Sequence, residues 1–172
     1  MNRTRRLCLG ALLTATALLL SWLEHLLPLQ LLLPLPGVKL GLANVAVLYA
    51  LLCLGRVDAW LINGARCLLA GLLFGTPISL AMSLAGGAAS TAVSCLLLPL
   101  HRREKLSPSG LGVAAAAMHH VGQLSVAAFL TGSAAVLRSY LPVLLLAAVP
   151  TGWITGSLTA LGLRSLSYER KK

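Results

Sequence analysis

Glu24-His25-Leu26-Leu27-Pro28-Leu29-Gln30-Leu31-Leu32-Leu33-Pro34-Leu35-Pro36-Gly37-Val38-Lys39-Leu40-Gly41-Leu42-Ala43-Asn44 is a leucine-rich stretch interrupted by proline. Each proline removes a backbone donor and pushes the residue before it toward an extended conformation, so no helix crosses Pro28 to Pro36. The stretch is a break between helices. It is nevertheless apolar, with Glu24, Lys39 and Asn44 spaced along it. Such a loop is expected to fold back over something rather than hang in water.

Outward from this break the chain is hydrophobic on both sides. Hydrophobic residues make up 58% of the 172 positions, charged residues 10%, and the mean hydropathy is +0.87. Soluble domains hold roughly 45–50% apolar residues, so the chain reads as an integral membrane protein. Its formal charge of +10 would suggest nucleic acid in a soluble protein. Here the basic residues flank apolar segments, which makes the charge a topology signal; the expected partner is the lipid bilayer, with no nucleic acid.

The pattern predicts an all-α polytopic bundle of six transmembrane helices in a single domain over 1–172. The helices are expected at about 7–27, 38–54, 59–74, 78–100, 110–130 and 140–163. The first follows Arg3, Arg5 and Arg6 but is too long for a signal-peptide core and lacks a cleavage site, so it is read as a span. Gly86-Gly87 marks either a kink in helix four or a close approach by another helix or a ligand. Thr131-Gly132-Ser133 and Arg138 are expected in the turn before helix six, which holds Pro150 and the Gly152/Gly156 pair. Arg3, Arg5, Arg6, Arg56, Arg102, Arg103, Lys105, Arg164, Arg170, Lys171 and Lys172 then share one side. By the positive-inside rule both termini are cytoplasmic and the proline loop is outside, in a multi-pass protein of a bacterial cytoplasmic membrane.

Several chemistries find no support in the sequence. No Gly-x4-Gly-Lys-Ser/Thr motif occurs, so ATP hydrolysis by this chain is not expected. Cys8, Cys53, Cys67 and Cys95 lie in apolar runs without a Cys-x-x-Cys spacing, which argues against a metal site or redox pair. Asp58 is the sole aspartate, so the clustered aspartates that hold magnesium and a diphosphate are missing. No catalytic residue, metal or cofactor is expected.

What remains is a sparse polar set at membrane depth. Arg66 sits inside helix three, where a guanidinium is costly unless paired or wetted and marks a functional path. Asn63 shares its face at i, i+3, and on helix five His119 and Gln123 share a face at i, i+4. With Glu24, Lys39 and Asn44 they form a candidate ligand set in the outer half of the protein. Structural roles are open to the same residues: Glu24 with Arg66 as an ion pair, His119 bonded to a carbonyl, Lys39 reaching the surface. On helix one, Gly10, Ala11, Thr14 and Ala15 form a face of small residues that permits close approach of a helix, either internal or from a docking partner.

Taken together, Leu23-Glu24 through the proline loop into Pro36-Gly37-Val38-Lys39-Leu40-Gly41-Leu42-Ala43-Asn44, Arg66 with Gly71-x-x-Phe74-Gly75, Ser83-Leu84-Ala85-Gly86-Gly87 and His119-x-x-Gly122-Gln123 resemble the Gx transporter family. That family is also labelled heptaprenyl diphosphate synthase component I, and the resemblance covers nearly the whole chain. More distantly it is similar to the S components of energy-coupling factor transporters. The resemblance implies six helices, a small-molecule pocket beneath a capping loop, and docking of an energy-coupling transmembrane subunit and its ATPases on helix one. Its two labels imply different functions: a substrate-binding transport subunit, or a non-catalytic membrane component of heptaprenyl diphosphate and quinone synthesis. Because Lys39, Arg66 and the histidines outnumber Glu24, the ligand of the first is expected to be a small anionic or amphipathic molecule. A scaffold for a membrane redox complex is a third reading.

Overall fold

The computed structural model describes residues 2–26 and 41–169. The proline loop, Lys39 and the first part of the expected second helix, residues 38–40, lie outside them. The described residues form six helices and no strand: α1 (Arg3–Leu26), α2 (Asn44–Cys53), α3 (Arg56–Phe74), α4 (Pro77–Arg102), α5 (Pro108–Thr131) and α6 (Ala134–Glu169).

Most boundaries follow local chemistry. Thr76 and Ser107 cap α4 and α5 by accepting from the backbone N–H of Ser79 and Gly110, and each is followed by a proline. A proline suits that first position because its missing N–H has no helical partner there. Gly132, at φ 64°, ends α5 by donating to Ala128 and Phe129 carbonyls, a left-handed cap that glycine adopts without strain. α6 then begins at Ala134, so Arg138 belongs to the helix and not to the expected turn; the helix runs through Pro142 and Pro150 for 36 residues. α1 also starts earlier than the apolar run, at Arg3. Hydropathy locates the membrane, whereas a helix continues past it into the basic flank.

The second helix departs furthest from expectation. It begins only at Asn44 and has 10 residues, about 15 Å of rise against a hydrocarbon core of roughly 30 Å. Gly41 enters with φ 84°, and Asn44 N–H donates to the Gly41 carbonyl (2.9 Å) while Val45 N–H donates to Leu42 (3.1 Å). A left-handed residue cannot lie inside a right-handed helix, so the chain turns at Gly41 before α2 starts. The other five helices are long and apolar enough to cross a membrane; α2 is not.

Helix direction follows from end-to-end contacts. Arg6 pairs with Asp58 at the start of α1 and α3, and the His25 and Phe74 rings meet at 5.8 Å near their far ends, so these two helices run parallel. α3, α4, α5 and α6 pack successively as neighbours, and α2 touches all five other helices. Asn44, Ala46, Val47, Leu48, Ala50 and Leu51 of α2 are buried. The shortest helix is therefore the centre of the bundle. Outside, Leu72, Leu96, Phe129 and Leu146 are among the exposed apolar side chains, as expected of a lipid-facing surface.

Candidate functional site

α2 delivers Asn44 to the middle of a polar cluster. Its side-chain Oδ1 accepts from Arg66 Nη2 at 3.3 Å, and Asn63 Oδ1 accepts from Arg66 Nε at 3.2 Å and Nη2 at 2.9 Å. All three residues are at most 5% exposed. The Asn63–Arg66 contact is the i, i+3 pair read from the sequence. Neutral amide oxygens thus hold the buried guanidinium. Among the described residues, the one ion pair within 4 Å joins Arg6 and Asp58; the anticipated Glu24–Arg66 structural pair does not form. Glu24, buried in α1, instead accepts a hydrogen bond from the Leu42 N–H. Its carboxylate thereby holds the turn that leads into α2, near the positive end of that helix dipole.

Glycine brings the remaining residues close. A Cβ on Gly87 would lie 2.6 Å from Asn63 Oδ1, and one on Gly86 would lie 2.8 Å from the His119 carbonyl oxygen and 2.9 Å from Gln123 Cγ. The glycine pair therefore causes no break in α4, which is continuous. It is a close approach on two sides, with α3 polar groups against one glycine and α5 groups against the other. Gly41 closes the ring, since its Cβ would fall 3.0 Å from Asn44 Nδ2 and 3.5 Å from His119 Cδ2. On α5 the His119 and Gln123 side chains meet, Nε2 to Nε2, at 3.0 Å.

Asn44, Asn63, Arg66, His119 and Gln123 thus converge, and Glu24 reaches the cluster through Leu42. Lys39 lies outside the described residues. Several polar groups absent from the sequence-based set are also buried in the bundle: Ser21, Ser83, Thr91 and His120 have Oγ, Oγ1 or ring nitrogens lacking a well-formed hydrogen bond. Serine and threonine in an alanine-rich helix give no sequence signal of this, because they satisfy themselves on their own backbone as readily as they face a site. His120 directly follows His119, and only the packing shows that both neighbours are buried.

The small-residue face of α1 is a separate feature. Gly10, Ala11 and Thr14 line a groove of about 500 Å³ between α1 and α3, with Arg3, Arg6 and Asp58 at one end and Leu61, Ile62 and Ala65 along its wall. A Cβ on Gly10 would meet nothing within 4 Å. Ala15 lies outside this groove's lining and is exposed.

The fold and the buried cluster define an all-α membrane bundle with a polar centre. The chain belongs to the heptaprenyl diphosphate synthase component I family, whose model matches residues 13–161. That match contains every described residue of the cluster and most of the α1 helix, beginning after Gly10 and Ala11. No curated protein and no solved structure matches the chain.

Proposed function

We propose that the chain is the substrate-binding membrane subunit of a transporter for a small anionic or amphipathic molecule, energised by a separate ATPase module. The observation that supports this is Arg66: a 2%-exposed cation whose hydrogen bonds go to two amide oxygens. Burying a charge costs several kcal/mol unless it is paired. Here it is fixed by the Asn44 and Asn63 side chains while His119 and Gln123 stand on the other side of the glycine pair, as a site prepared for a ligand would be. In this reading Glu24, Lys39, Asn44, Asn63, Arg66, His119 and Gln123 make up the ligand set. Gly10, Ala11, Thr14 and Ala15 receive the energy-coupling transmembrane subunit, and both termini face the cytoplasm.

A second reading rests on the family name. The family is named as a component of heptaprenyl diphosphate synthase, which favours a membrane partner of isoprenoid synthesis. Affinity purification from gently solubilised membranes, followed by native mass spectrometry, separates the two. A retained small molecule with a coupling subunit and ATPases supports transport; a soluble prenyl diphosphate synthase in their place supports the biosynthetic role and overturns the first.

A further inference from the structure

Resting on the reading of this cluster as a ligand site, we propose that the ligand is anchored by a carboxylate held between Arg66 Nη1 and Asn44 Nδ2. A guanidinium carries five N–H donors in a rigid plane. The bonds to Asn63 and Asn44 occupy Nε and Nη2, and no described residue accepts from Nη1. Asn44 is oriented by the same contact: its Oδ1 takes the Arg66 proton, which turns Nδ2 the other way, where it is buried and without a partner. The two unused donors therefore flank a single hydrogen bond, each attached to the same carbon as one of its atoms. In the proposed binding mode one carboxylate draws on both donors.

The number of charges selects the class of anion. Arg66 supplies one positive charge at this point, and a carboxylate brings one negative charge in a geometry that suits a guanidinium. A diphosphate brings at least two, more than the one cation among the described residues of the cluster offsets. At the other side of the glycine pair, Gln123 directs Nε2 to His119, and its side chain also interacts with the buried His120 ring. The carboxylate also accounts for the two amides: they hold the guanidinium in place without neutralising it.

The test uses the full chain in detergent, with benzoate as a carboxylate on an apolar body, benzamide as its neutral counterpart, and inorganic diphosphate at matched ionic strength. Benzoate is expected to raise the melting temperature saturably, and benzamide and diphosphate to leave it unchanged. Arg66→Gln is expected to weaken benzoate about tenfold or more, the loss typical of a charged hydrogen bond. Should that variant fail to fold, Asn44→Asp provides the internal equivalent. It places a carboxylate beside Arg66, so it should melt higher than the wild type without additive and no longer respond to benzoate. Stabilisation by diphosphate equal to that by benzoate overturns the proposal, as does an Asn44→Asp protein no more stable than wild type and still responsive. A neutral or cationic small molecule retained in native mass spectra refutes the carboxylate alone and leaves the ligand site standing. Neither a retained small molecule nor any benzoate shift refutes both.

Discussion

The α5–α6 seam and the polar cluster both depend on glycine in a lipid-exposed bundle, but the glycines admit different things. At the seam, Gly112, Gly152 and Gly156 let backbone meet backbone: a Cβ on Gly112 would lie 2.8 Å from Gly156 N, and one on Gly152 would lie 2.7 Å from the Gly112 carbonyl. At the cluster, Gly87 makes room for the Asn63 amide, and Gly86 for Gln123 and the backbone of His119. Neighbouring helices in lipid gain little from the hydrophobic effect and hold together by close contact. The seam is thus an association device. The cluster uses space of the same size for polar side chains, which gives up packing to hold a charge.

If this division is correct, a large residue at the seam does the most damage. Gly152→Leu should abolish folded protein, because helix backbones cannot move aside locally and overpacking here exceeds the usual ~1–3 kcal/mol. Size-exclusion chromatography in detergent reads it directly; a monodisperse variant with native helix content would show that the seam is not structural.

Next comes the fixed cation. Asn63→Leu leaves Arg66 with only its long bond to Asn44, so the melting temperature should fall by the equivalent of about 2–4 kcal/mol, the range for disrupting a buried charged hydrogen-bond set. A nearly unchanged melting curve would mean that Arg66 is solvated by other means. Gly87→Ala is a milder probe of the same region. Its methyl must displace the Asn63 amide, a flexible side chain, at a cost of about 1–3 kcal/mol, and the main loss should be in binding of a retained small molecule. Equal loss of stability and binding at Gly87 and Gly152 would erase the distinction between the two regions.

The smallest effect belongs to a polar contact outside both. Arg6 Nη2 lies 2.7 Å from Asp58 Oδ2, with the arginine side chain 49% exposed. Solvent screens such a pair, and Asp58→Asn should change stability by less than ~1 kcal/mol. A loss on the scale of Asn63→Leu would instead make this end of α1 and α3 a fixed point of the fold.

The helices were largely legible because alternation of apolar runs with Pro, Gly and basic clusters is a strong signal in a membrane protein. Arg66 and the His119–Gln123 spacing were equally plain, since an ionisable or amide group inside an apolar run is costly and stands out. The start of α2 was not. Val38 to Cys53 is continuously apolar apart from Lys39, Asn44, Tyr49 and Gly41, and nothing in that pattern states that Gly41 takes a positive φ. Only the Glu24–Leu42 contact, eighteen residues apart in sequence, shows why the turn sits there. Likewise the roles of Gly86 and Gly87 depend on which neighbours approach them, information that a single helix does not carry. His120, Ser83 and Thr91 were missed for the same reason.

The brevity of α2 has a consequence for how the protein is made. A ten-residue helix is too short to partition into lipid as an independent unit, and its entry turn exposes backbone groups that hydrocarbon cannot satisfy. It nevertheless leaves the ribosome before α3, α4, α5 and α6 exist to surround it. Among the described helices, α2 can therefore rest during synthesis only against α1, with the Glu24 carboxylate holding Leu42, until the later helices arrive. Biogenesis would then proceed by enclosure, the first two helices waiting as a pair while the remaining four are laid around them. A nascent chain arrested after Phe74 should leave α2 open to water-soluble reagents, and one released after α6 should protect it.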